Sequence, residues 1–222
     1  LKWLEQTNPD VVMLQETKVE DALFPGEFIE DQGYNIEVFG QKAYNGVAIL
    51  ARHEIEDVYC GLPGDDADSH KRAIGCIVED FMLLNLYVPN GQEVGCDKFA
   101  YKLDWMERLH ELIASRYKAD EKMVVTGDFN ITLDDRDTWD PDGMRGKIHC
   151  SQPERDALAK IMDIGFVDGL RNFHEQAGVY TWWHHRGGGL RKNHGLRIDH
   201  FLLSPSASEA CADRLAGANR GG

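Results

Sequence analysis

The sequence predicts an α/β layered sandwich, and two observations carry that reading. Short apolar runs, bounded by Gly, Pro, Asn or Asp, recur along the chain in antiparallel-friendly pairs, the mark of strands. Two helical patterns interrupt those pairs instead of following every strand, which fits layers of sheet and helix better than a purely doubly wound sheet. No repeat, low-complexity segment or linker divides the 222 residues, so one domain is expected over 1–222.

Each element has its own signal. Leu1 to Thr7 reads as the last turns of a helix, stopped by Asn8-Pro9. Val11-Val12-Met13-Leu14 is a continuous apolar run, as in a strand buried on both faces. Strand patterns follow at Tyr34–Phe39, Gly46–Ala51, Ala73–Val78 and Met82–Val88. From Lys98 to Tyr117, Phe99, Leu103, Met106, Leu109, Ile113 and Tyr117 form one helical stripe. Lys122–Thr126 is a strand. Pro153 opens a helix that carries Leu158, Ile161 and Met162 and stops at Gly165. Val179–Trp183 and Arg197–Leu203 are late strands, with Gly187-Gly188-Gly189 in the loop between them. The chain is expected to end at 219–222 without a terminal strand or helix.

A hydrophobic content of 42% with 28% charged residues describes a globular core, not a disordered chain. The net charge of −14 argues against a surface that coats polyanions generally. Nucleic acid then requires a local basic face or bound cations. Five scattered cysteines without a C-x-x-C pair leave no zinc cluster or dithiol motif and read as reduced thiols of a cytoplasmic protein. No apolar run approaches ~20 residues and no signal peptide is evident, so no membrane partner is expected.

Three strands carry acids at or near an end of their apolar runs. Glu16 follows Leu14-Gln15, Asp128 and Asn130 flank Phe129 after Gly127, and Asp199 precedes Phe201-Leu202-Leu203. Alternation along a strand would put Asp128 and Asn130 on one face. Any one such acid is more often a cap or turn residue. Converging carboxylates are costly to bury unpaired, and a hard divalent cation removes that cost; Mg²⁺ takes one or two carboxylates together with substrate phosphate oxygens. Tyr87 stands at a strand exit before Pro89-Asn90-Gly91, either as a half-buried strand aromatic or as a donor to phosphate.

Taken together, Gln15-Glu16-Thr17-Lys18, Gly127-Asp128-Phe129-Asn130 and Gly195-Leu196-Arg197-Ile198-Asp199 resemble the exonuclease III family, the bacterial apurinic/apyrimidinic endonuclease branch of a larger superfamily of endonucleases, exonucleases and phosphatases. Gly46-Val47-Ala48-Ile49-Leu50 and Tyr180-Thr181-Trp182-Trp183 are similar to further family segments, in family order, so the resemblance covers nearly the whole chain. It implies a four-layered, DNase-like sandwich of two facing mixed sheets flanked by helices. It also implies Mg²⁺- or Mn²⁺-dependent hydrolysis of double-stranded DNA, 5′ to abasic sites and at 3′ ends, by a monomer.

By motif, Glu16 resembles the principal metal ligand, with Asp128 and Asn130 beside it. Asp128 would position or deprotonate the attacking water, Asn130 would hold phosphate or metal, and Tyr87 would support the phosphate or the leaving group. Asp199 resembles the acid that orients a catalytic histidine. Lys18, Arg72 and Trp182 are the expected substrate contacts, Trp182 where the family meets an abasic sugar, although a core role suits a Trp nearly as well. Lys42, Lys71, Arg186, Arg191 and Lys192 could complete a basic rim.

The family pattern also opens with an Asn-bearing strand and closes with a Ser-Asp-His motif, and neither occurs in these 222 residues. His200 would point away from Asp199. His184, His185 and His194 read as loop histidines. The expectation is therefore a chain truncated at both ends, its terminal strands missing and its activity much reduced or absent, with the intact parent as the enzyme. Two alternatives stay open: a superfamily phosphoesterase for phosphoinositide or sphingolipid head groups, and a non-catalytic metal- or DNA-binding remnant.

Overall fold

In the computed structural model, residues 2–218 are described except 67, 68, 119, 185 and 186, with side chains through 212. The elements run α1 (Lys2–Thr7), β1 (Val11–Gln15), α2 (Gly26–Glu30), β2 (Asn35–Phe39), β3 (Val47–Ala51), β4 (Ile55–Cys60), β5 (Ala73–Val78) and β6 (Phe81–Tyr87). Then come α3 (Asp97–Arg116), β7 (Lys122–Asp128), α4 (Pro141–Met144), α5 (Gln152–Asp163) and β8 (Val167–Asp168). The chain continues through β9 (Trp182–Trp183), α6 (Gly189–Lys192), β10 (Gly195–Leu196), β11 (Asp199–Leu203) and α7 (Pro205–Ala218).

Two sheets face each other. The smaller has the order β1-β3-β2, the larger β4-β5-β6-β7-β11-β8, and β9 and β10 form a separate ribbon. Alternation along β3 explains the layering: Val47, Ile49 and Ala51 pack on Ile74, Cys76, Val78 and Leu83 of the large sheet, while Leu50 turns the other way onto Leu4, Ile29 and Tyr34. On the far side of the large sheet, Trp105, Met106, Leu109 and Ile113 of α3 and Leu158 and Ile161 of α5 cover Leu84, Leu86, Met123 and Val125. The order helix, sheet, sheet, helix gives the four layers expected.

Among the described residues only β6 and β7 pair in parallel, joined by α3 as the crossover; every other pairing of the large sheet is antiparallel. That pairing makes the large sheet mixed. The small sheet departs from the expectation of two mixed sheets, because β1 and β2 both run antiparallel to β3. It is also narrower, so β7 and β11 look onto an open groove of about 890 Å³ lined by Val11, Leu83, Val124, Phe201 and Leu203.

Other differences have local causes. β4 was not foreseen, since Glu56 and Asp57 break its apolar pattern at a bulge where Asp57 takes φ +49°. β7 continues two residues beyond Thr126. The late strands shrink to β9, β10 and β11 because loops fill the spaces between them. Residues 219–222 lie outside the described residues, but the segment before them is a helix that the sequence did not suggest, α7: Pro205 sits at its start, and Ser204 Oγ accepts the Ala207 N–H at 3.3 Å as a cap. As expected, α5 opens with Pro153 in its first turn, and Ser151 and Glu154 form a capping box there.

Candidate active site

β6, β7 and β11 lie side by side and end in register, so that Tyr87 is paired with Asp128, and Asp128 with Asp199. Gly127, inside β7, makes this possible. Its φ is +134°, and a Cβ there would stand 2.0 Å from the Leu86 carbonyl oxygen. The glycine serves close approach of two strands, not the exit turn.

The exit turn belongs to Asn130, at φ +52°. Asp128 Oδ1 accepts the Asn130 N–H at 2.9 Å, and Asp128 Oδ2 accepts from Asn130 Nδ2 at 3.2 Å. The two side chains meet through this Asx turn and not through strand alternation, because the strand has ended at Asp128. Asn130 Nδ2 also donates to Val88 O at 3.0 Å, and Phe129 is buried on the opposite side.

The small sheet supplies the facing wall. Glu16 follows β1 with φ +55°, accepts a hydrogen bond from the Tyr87 hydroxyl and pairs with Lys18 Nζ at 2.9 Å. The Arg72 guanidinium lies 4.7 Å from the centre of the Tyr87 ring and donates to Tyr87 O at 3.0 Å. Next to it opens a cleft of about 500 Å³ lined by His70, Arg72, Asn90, Gln92, Lys98 and Tyr101. Glu16, Lys18, Arg72, Tyr87, Asp128 and Asn130 are thus brought together.

The electrostatics divide the acids. Burial pushes Asp128 up to about 7, and the Asp199 carboxylate adds to this against the Asn130 N–H. For Glu16 burial works upward, but the Tyr87 hydroxyl, Lys18 and Arg72 bring it net below its usual range. Tyr87 is raised by burial and by Glu16, so its phenol stays protonated.

Asp199 is raised mainly by burial and lines a groove of about 320 Å³ between the sheets, with Val11, Gln15 and Thr126. His200 faces away, as expected: it is buried edge-on to Phe129, and its Nε2–H donates to Ile131 O at 2.7 Å. Burial and Arg197 depress it to about 4, which leaves it neutral.

Trp182 stands at the far end of the site, half-buried on Cys150, Leu196 and Ile198. Trp139 is 40% exposed nearby and stacks on His194 with ring centres 3.6 Å apart. Of the basic rim, the Lys18 and Lys71 segments are knitted together through Asn45 and Gly46. Arg191 and Lys192 end α6. Arg186 and His185 lie outside the described residues.

Lys102, Glu154 and His149 went unforeseen. His149 Nδ1–H donates to Asn130 O at 2.6 Å, and its ring centre is 6.3 Å from that of Trp182, linking the two ends of the site.

A hard cation fits this donor set. Among the described residues no three His, Cys, Asp or Glu side chains make a complete metal cage. Glu16, Asp128 and Asn130 can turn oxygens to a metal, and the Asp199 and Glu16 carboxylates raise Asp128 despite the opposing charge of buried Lys102. An ion that keeps several waters and takes few protein ligands suits such a place.

The chain is similar to known proteins over nearly its whole length. The model of the Endonuclease/Exonuclease/phosphatase family matches residues 1–217. Exodeoxyribonuclease III of Haemophilus influenzae is 34% identical over 222 residues, covering 95% of this chain and 83% of its own. A 3′ phosphatase from Neisseria, NExo, solved with a product DNA hairpin, superposes with a TM-score of 0.89 at 37% identity, over 94% of this chain and 81% of the other. An AP endonuclease from Archaeoglobus fulgidus gives a TM-score of 0.88 at 34% identity, over 94% and 81%.

Proposed function

The chain belongs to the endonuclease/exonuclease/phosphatase family, and from that premise we infer a divalent-metal-dependent enzyme of DNA repair, of exonuclease III type, that hydrolyses DNA phosphodiester bonds. Its substrates are duplex DNA with 3′ ends or 3′ phosphates and, as a second activity, the bond 5′ to abasic sites. It acts as a monomer in the bacterial cytoplasm with Mg²⁺, or Mn²⁺ in its place. Support comes from the names of the relatives, which include an exodeoxyribonuclease III, a 3′ phosphatase and an AP endonuclease. The observation that carries the reading is the meeting of Glu16, Tyr87 and Asp128 from three strand ends.

Phosphodiester hydrolysis needs an in-line nucleophile and relief of charge on the phosphoryl oxygens. A bound divalent cation would supply Lewis-acid polarisation of the phosphate and stabilise the leaving oxygen. Glu16, held charged by Tyr87 and Lys18, would hold the cation, with Asp128 and Asn130 near it. Without metal, burial pushes Asp128 up to about 7; a cation beside it would lower that value and leave the carboxylate charged and able to accept a proton. Asp128 therefore positions and deprotonates the water, and Asn130 fixes the angle of that carboxylate. Arg72 and Lys18 offset phosphate charge, and the protonated Tyr87, whose one hydrogen goes to Glu16, would turn it to a phosphoryl oxygen once a cation holds Glu16. Asp199 acts through Asp128, by keeping its affinity for protons high. Trp182 offers an apolar face to the sugar or base next to the scissile bond.

The test is a substrate panel. The chain is incubated with a duplex bearing a 3′ phosphate, a recessed 3′ end, a duplex with one abasic site, and a phosphoinositide, each with Mg²⁺ and with EDTA. Metal-dependent product from the DNAs and none from the lipid is expected. Turnover of the lipid alone, or none of any substrate, would refute the reading.

A further inference from the structure

Lys102 is a fully buried lysine on the apolar stripe of α3. Its ammonium has three hydrogens, and each has a partner: Asn90 O at 3.2 Å, Asn130 O at 2.8 Å and Glu154 Oε1 at 2.5 Å. Glu154 is equally buried and equally satisfied. It accepts from His149 N at 3.1 Å, Ser151 N at 3.2 Å and Ser151 Oγ at 2.6 Å. The ammonium therefore ties together the loops that follow β6 and β7, while Glu154 anchors it to the start of α5.

Folding stability does not call for such a pair. Two well-packed apolar side chains in its place are often as stable, because desolvating two charges offsets much of their attraction. What the pair provides is direction. Asn130 is left-handed without being glycine, and its carbonyl is held from below by both Lys102 and His149. Its amide groups then point up at Asp128, and Asn90 Nδ2 donates to Asn130 Oδ1 at 3.1 Å, so both loops share one geometry.

We propose that Lys102, clamped by Glu154, is a positioning residue for the hydrolytic site: it holds the Asn90 and Asn130 loops so that Asn130 orients the Asp128 carboxylate. The proposal rests on the hydrolase reading above. Losing such alignment lowers turnover more than binding, because displacements of about 1 Å at a reacting group cost up to ~100-fold in rate.

The test is the double variant K102M/E154M, which removes both charges together and leaves neither buried alone. With 3′-phosphate duplex and Mg²⁺, kcat is expected to fall at least roughly tenfold, while the Kd for the same duplex in EDTA stays within about threefold. A folded double variant with kcat within about threefold of the parent overturns the proposal. If it does not fold, S151A takes its place; this milder variant loosens Glu154, and kcat should fall about three- to tenfold. Parental kcat in S151A would overturn the proposal.

An inactive parent chain would sink the hydrolase reading instead, and the positioning claim is then read without activity. In protein labelled with ¹⁵N-asparagine, the Asn130 side-chain amide pair, assigned with N130D, should shift or broaden in S151A. An unmoved pair counts against Lys102.

Discussion

Tyr87 donates its phenolic hydrogen to Glu16 across the space between the two sheets, from a position 71 residues further along the chain. The bond joins the end of β6 to the segment after β1 and holds Glu16 charged at the mouth of the cleft. Y87F removes this donor while Lys18 remains beside Glu16. We expect kcat to fall about 10- to 100-fold, less than the ~10²- to 10³-fold cost of losing a donor aimed at developing charge, because Lys18 still holds Glu16. DNA affinity should stay within about threefold, and steady-state kinetics beside binding in EDTA separate the two.

Gly127 is the strictest backbone position near the site. G127A would drive a Cβ into the Leu86 carbonyl oxygen at a φ that side chains avoid. A loss of about 3 kcal/mol or more, or failure to fold, is expected by urea denaturation. G146A is the control: its φ of +72° is strained too, but nothing stands within 4 Å of the added Cβ. There about 1 kcal/mol is expected.

Asp128 makes stability without metal depend on pH in an unusual sense. Its folded pKa, about 7, lies above the ordinary carboxylate value of 3.8. Between those values the folded chain binds the extra proton, so this contribution is present at low pH and is lost as pH rises through 7. D128N abolishes the loss, by up to about 4 kcal/mol at pH 8. In EDTA the variant should unfold at higher urea than the parent at pH 8 and close to it at pH 4.5. Mg²⁺ should narrow the gap at pH 8.

His200 works the other way. Burial, then Arg197, lower it from 6.5 to about 4, so the unfolded chain binds the extra proton between those values. Its contribution is complete above pH 6.5 and is lost as pH falls through 4, about 3 kcal/mol in all. Measured in D128N, which lacks the opposing trend, the urea midpoint should drop from pH 7 to pH 4. A flat profile would contradict neutral burial of His200.

Much of the site was legible because its acids stand where apolar runs stop, at Gln15-Glu16, Thr126-Gly127-Asp128 and Ile198-Asp199. Such junctions mark strand ends, and strand ends gather at one edge of a layered sandwich. The geometry between neighbours was less legible. Asp128 and Asn130 meet through an Asx turn, which uses the same residue types as the expected alternation. The need for glycine at 127 was not legible, because sequence does not reveal how near another strand's carbonyl lies.

Lys102 carries a signal in its spacing: it sits three residues after Phe99 and four before Met106, on the buried stripe of α3. A lysine there reads as solvated until Glu154, 52 residues away, is seen beside it. β4 and α7 were hidden for opposite reasons. Charged residues interrupt the one, and the other is built of small residues with little periodicity.

The central claim is that Asp128 handles the attacking water in a site completed by a divalent cation. It is tested most directly by single-turnover cleavage of a 3′-phosphate duplex by the parent and D128N, with Mg²⁺, at enzyme concentrations saturating for both. The account predicts metal-dependent cleavage by the parent and a rate roughly 10²- to 10⁴-fold lower in D128N, with DNA binding retained. Cleavage by D128N at the parental rate would contradict it.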